Sequence, residues 1–133
     1  MVHRSLASDT FSQEQLGVEA LLRSHSDVKA IVALTDAATR GAFLALQEAG
    51  LGDHIHLIGF DQDLIVPLST GGIDAIVMQD ANTMGRDAVQ LLAGLMRGEM
   101  KTNRILVSPM LVTKENYKSD RVHEILNQRW YAR

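Results

Sequence analysis

The chain has 133 residues, 46% hydrophobic and 22% charged, with 10 glycines, 2 prolines and no cysteine. One domain of this size withdraws roughly two-thirds of its unfolded surface from water, so a core needs neither metal nor disulfide, and the lack of cysteine excludes a disulfide scaffold, a thiolate zinc site and a cysteine nucleophile. With 13 Lys and Arg against 16 Asp and Glu, a net charge of −3, there is no electrostatic footprint for nucleic acid. No run approaches the ~18 apolar residues of a spanning helix, and residues 1–8 hold no apolar stretch of the signal-peptide kind, so neither membrane insertion nor a signal peptide is expected of this chain.

Along the chain, helical and strand-like patterns alternate, the signature of βα units around a parallel sheet. Ser12 followed by Gln15 reads as a capping box, and Leu16, Ala20 and Leu21 continue at helical spacing to about Ser24. Ala30-Ile31-Val32-Ala33-Leu34 is a continuous apolar run suited to a strand covered on both faces. Thr35 and Asp36 form the turn into a helix marked by Ala38, Ala42, Leu46 and Ala49 and stopped by Gly50 and Gly52; either side chain suits the cap. His56-Leu57-Ile58-Gly59-Phe60 is the next strand, ending on Asp61. The loop that follows contains Pro67 and Gly71-Gly72, which limit regular structure. Ile73-Asp74-Ala75-Ile76-Val77-Met78 predicts a third strand running into Gln79-Asp80, and Met84, Ala88, Leu91, Leu92 and Leu95 mark the apolar face of a helix that Gly98 stops. Ile105-Leu106-Val107 and Met110-Leu111-Val112 flank Pro109, and a polar helix is expected over 114–127.

Polar clusters stand where the three strands end: Thr35-Asp36, Asp61-Gln62-Asp63 and Gln79-Asp80. In an open α/β sheet, loops converge on a ligand at the carboxyl ends of the strands. Carboxylates there accept hydroxyl hydrogen bonds and an amide both donates and accepts, which suits a polyol or sugar; each residue alone also suits a helix cap or a turn. His54 and His56 share one strand face but sit at the strand entry, so they read as two partly exposed histidines more than as a metal pair. No serine is framed as a nucleophile elbow and no glycine-rich phosphate loop is present. The methionines read as packing, and Arg121, Glu124 and Arg129 as a solvated helix face.

Five stretches, in order, carry a resemblance. Residues 31–42 followed by Ala45-Leu46-Gln47-Glu48-Ala49-Gly50 resemble the "ND-x-x-A-x-G-x-x-x-A-L-x-x-A-G" segment of the type I periplasmic binding proteins and the related LacI-type sugar-responsive regulators. Ile58-Gly59-Phe60-Asp61 is similar to the family's "V-G-F-D", and Ile76-Val77-Met78-Gln79 to its "T-V-x-Q". Met84-Gly85-Arg86-Asp87-Ala88 with Leu95-Met96-Arg97-Gly98-Glu99 resembles the following helix, and Leu111-Val112-Thr113-Lys114-Glu115-Asn116 the ending of sugar-transport members. The resemblance implies ligand contacts at Thr35, Asp61 and Gln79, with Asp36 mainly a helix cap. Thr35 stands where the family more often has Asn, and its hydroxyl is shorter.

The resemblance also implies a three-layer α/β/α fold with a mainly parallel sheet, one incomplete lobe of a two-lobed clamshell, the whole of residues 1–133 corresponding to the later half. The expected function is carbohydrate binding as the substrate-binding component of a sugar ABC transporter, without catalysis, cofactor or metal. A transporter permease would be the partner and the periplasm the location. The alternatives are the effector domain of a LacI-type regulator, or a fragment that binds nothing alone. On this reading the helix after Gln79 belongs to the other lobe. Its apolar face, Met84 to Leu95, needs cover from the missing lobe or a second copy of the chain.

Overall fold

The computed structural model describes residues 10–60, 62–99 and 104–127. Five helices and four strands follow in the order α1 (Phe11–Ser24), β1 (Ala30–Val32), α2 (Asp36–Glu48), β2 (His56–Phe60), α3 (Ile65–Thr70), β3 (Ala75–Met78), α4 (Ala81–Met96), β4 (Met110–Thr113) and α5 (Asp120–Leu126), with a 3-10 turn at Gln62–Leu64 ahead of α3. The strands form one sheet in the order β1-β2-β3-β4. β1, β2 and β3 run parallel, and β4 returns antiparallel to β3.

The register sorts the side chains into two faces. Ile31 lies beside Leu57, Gly59 beside Ile76, and Ile76 beside Val112, so these residues share a face, with Met78 two positions on. They meet Ala42 and Leu46 of α2, Leu68 of α3, and Val122 and Ile125 of α5 in a single buried core. The opposite face carries Val32, Ile58, Phe60, Val77 and Leu111, none of which joins that core. Val32 and Leu111 are 61% and 56% exposed there, and Leu34 just past β1 is 71% exposed. The α/β class, the mainly parallel sheet and the partial lobe are as expected; among the described residues the helices of the core gather on one face, so two of the three layers that the resemblance implies are seen. Burying an apolar side chain contributes on the order of 1.5–3 kcal/mol, so this one-sided core is the main source of stability.

Two close approaches set the helical layer. A Cβ on Gly41 would lie 2.6 Å from the Gln15 backbone nitrogen and 2.7 Å from Glu14 Cβ, so only glycine lets α1 cross α2 this tightly. A Cβ on Gly59 would lie 2.1 Å from Thr39 Cγ2. Thr39 is wholly buried. Its hydroxyl donates to the Thr35 carbonyl at 2.8 Å and accepts from the Phe60 backbone N–H at 2.8 Å, fixing the start of α2 over the end of β2.

The element boundaries follow from side chains that take backbone partners. α1 is capped by Thr10, whose hydroxyl accepts from the Gln13 N–H, instead of by the Ser12 box. β3 begins at Ala75 and not at Ile73, because the Asp74 carboxylate accepts the Leu57 N–H at 2.8 Å and holds His56 Nδ1 at 2.9 Å. The stretch expected as a loop contains α3, which tolerates Pro67 because a first-turn residue needs no N–H partner. Over 114–119 the chain turns where a helix is expected. Asn116 accepts the Thr113 N–H and donates to the Leu111 carbonyl, so the helix waits for its cap at Ser119.

Gly59→Ala should lower unfolding stability by about 2–3 kcal/mol, read from urea midpoints, because the added methyl has no room beside Thr39. Adding Thr39→Ser removes the methyl it strikes and should restore part of the loss. A double variant no more stable than Gly59→Ala would place the conflict elsewhere.

Candidate functional site

Because β1, β2 and β3 are parallel neighbours, their carboxyl ends open along one edge of the sheet. That edge brings Thr35-Asp36, the residues after Phe60, and Gln79-Asp80 to the same end of the molecule. Asp61 lies outside the described residues.

Thr35 is exposed, and its hydroxyl accepts the Ala38 N–H at 3.2 Å. It is therefore the cap of α2, the role the resemblance gives mainly to Asp36. Asp36 instead faces Arg40 one turn on, with Oδ1 3.5 Å from the Arg40 Nη2. That oxygen is buried and accepts no hydrogen bond among the described residues. The same guanidinium nitrogen lies 3.6 Å from Asp63 Oδ2, so Arg40 bridges the start of α2 and the 3-10 turn after β2. In the sequence Arg40 is one charge within a helical pattern, and its spacing of four from Asp36 is the only signal.

Gln79 is exposed. It lines a cavity of about 140 Å³ with Phe60, Asp80, Met84, Val107, Ser108 and Pro109. Its amide both donates and accepts, and Ser108 adds a hydroxyl to a mostly apolar wall.

Asp80 is 3% exposed and caps α4. Its Oδ1 accepts the Thr83 N–H at 3.0 Å, and its Oδ2 accepts the Thr83 hydroxyl at 2.9 Å and Arg121 Nη2 at 2.8 Å. The Thr83 N–H, then the Thr83 hydroxyl and Arg121, hold this carboxyl below the usual carboxylate range against the upward push of burial. Arg121 thus differs from the freely solvated residue expected of the closing helix. His56 pairs with Asp74 at the far end of the strand. Among the described residues no three His, Asp or Glu are grouped to hold a metal ion. The described chemistry at this edge is hydrogen bonding, with carboxylate acceptors on one side and an amide on the other.

Residues 5–100 match the periplasmic binding protein domain, and the chain belongs to that family. Among curated relatives, the D-apiose import binding protein of Paraburkholderia graminis is 32% identical over 120 residues, which are 87% of this chain and 38% of that protein. The ribose import binding protein of Escherichia coli is 31% identical over 100 residues, 74% of this chain and 33% of that protein. Of solved structures, an ABC transporter solute binding protein from Agrobacterium vitis with bound D-fucose is similar with a TM-score of 0.83 at 25% identity, over 92% of this chain and 43% of its own. A Bacillus halodurans solute binding protein with bound myo-inositol gives 0.71 at 28% identity, over 80% of this chain and 38% of its own. The chain therefore spans well under half the length of the proteins it matches.

A carboxyl depressed in the folded state contributes stability in full above its unfolded value of about 4, and that contribution is lost as the pH falls through the lower folded value. Asp80→Asn should therefore lower neutral-pH stability by about 1–2 kcal/mol, and its difference from the wild type should shrink as urea midpoints are followed into acid. A constant difference across pH would remove the ionised Asp80 from the account.

Proposed function

We propose that this chain is a single sugar-recognising lobe of the substrate-binding component of a sugar importer, which holds a monosaccharide-like polyol by hydrogen bonds and performs no catalytic step. The observation that carries the reading is Gln79, exposed into a small cavity at the carboxyl end of β3, on the same sheet edge as the Asp36-Arg40-Asp63 cluster. Family membership, and relatives and neighbours named for apiose, ribose, fucose and inositol, support a hydroxyl-rich ligand. In this reading Asp61 and Gln79 contact ligand hydroxyls, while Thr35 and Asp36 contribute through the start of α2. The location is the periplasm and the downstream partner a transporter permease, both carried from the family.

The remainder of the clamshell belongs to the same proposal. α4 buries only Gly94, while Met84, Leu92 and Leu95 are 43%, 60% and 38% exposed. Together with Val32, Leu34 and Leu111 on the open sheet face, these residues form apolar surface of the sort that a second lobe or a second copy of the chain covers.

Calorimetric titration with a pentose, hexose and polyol panel tests the site. Asp61→Ala and Gln79→Ala should each weaken the best sugar by about tenfold or more, the worth of one hydrogen bond to a charged or well-placed group. Wild-type affinity in both would remove the roles assigned to them. Light scattering should separately show self-association of the isolated chain, with binding of an exposed-hydrophobe dye; a sharp monomer without dye binding would sink the need for cover.

A further inference from the structure

Helix α4 is attached to the rest of the molecule in an unusual way. Gly94 is its single buried residue, and its apolar side faces a groove whose other wall is Arg104, Ile105, Leu106 and Val107 instead of the core. Packing thus does little to orient it, and its direction depends on how its first turn is held. The first turn is held by Asp80, the residue after Gln79. Asp80 in turn is gripped from α5, 41 positions along the chain, by Arg121.

That grip is geometrically specific. Arg121 Nη2 donates to Asp80 Oδ2 at 2.8 Å while Nη1 donates to Glu124 Oε2 at 3.0 Å, so the guanidinium bridges the two carboxylates. The Asp80 side chain is 4% exposed and that of Glu124 62% exposed, so the two contacts are unequal. Removing a cation from a buried carboxylate leaves an uncompensated charge, whereas an exposed ion pair contributes little. α5 itself cannot drift, because Val122 and Ile125 seat it in the core at 0% and 6% exposure.

We propose that Arg121 is a positioning residue for the ligand edge: acting through Asp80, it fixes the start of α4 and the direction in which Gln79 enters the cavity. The ligand part of this inference rests on the sugar-site reading, and the positioning part does not. Arg121→Lys keeps a charge that reaches Asp80 or Glu124 but not both, since an ammonium lacks the two-sided fork. Arg121→Met keeps the stem and no charge.

Amide exchange by NMR on the full ligand-free chain separates positioning from general stability. Arg121→Met should speed exchange at the Thr83 amide about tenfold or more and shift the Gln79 side-chain amide resonances, while Ile76 and Val112 in the sheet stay within about twofold. Arg121→Lys should restore part of the protection, and Glu124→Gln should behave as wild type. Acceleration that is uniform over the chain, or no change at Thr83 and Gln79, overturns the proposal. With a sugar that the wild type binds, Arg121→Met should raise Kd about tenfold with Ile76 and Val112 protection kept; unchanged affinity overturns the ligand part. A wild type that binds no sugar overturns the sugar-site reading, and the exchange result still decides the positioning.

Discussion

The carboxyl edge of this sheet depends on one buried hydroxyl. Thr39 lies on α2 over a strand position that has no side chain, and its oxygen links the Thr35 carbonyl to the Phe60 N–H. A buried hydroxyl without partners costs more than its hydrogen bonds return, so the two bonds and the glycine beneath form one unit. Through it the helix start, its cap Thr35 and the ion-paired Asp36 are all indexed to the end of β2.

The other side of the edge is built by different physics. β3 is central and buried, but Gln79 and α4 lie beyond it, where little apolar surface holds them. Charge-assisted hydrogen bonds to Asp80 supply what packing does not, and they are directional where packing is not. The edge thus has one wall fixed by a steric contact in the core and another fixed by a salt-linked cap.

The two sheet faces tell a related story. Leu57, Ile76, Met78 and Val112, the strand residues of the main buried cluster, lie on the face covered by α2, α3 and α5, while Val32, Leu111 and the neighbouring Leu34 remain in contact with solvent. Parallel sheets are ordinarily covered on both faces. The continuous apolar run at 30–34 is the sequence of a doubly covered strand, and among the described residues only one side of it is covered.

Local sequence determined the strand His56–Phe60, the helices after Thr35 and Asp80, and the convergence of polar residues at the strand ends, because apolar periodicity and caps act over a few residues. The family, too, was legible in five short motifs. Tertiary structure alone decided which residue of a polar pair became the cap, as Thr35 did before Asp36, and that Asp74 would shorten β3 by taking the Leu57 N–H. It alone joined Arg40 to Asp63 and Arg121 to Asp80. Those links connect residues that periodicity treats as exposed, and a charge at a helical surface position has no partner until the fold brings one within hydrogen-bond reach.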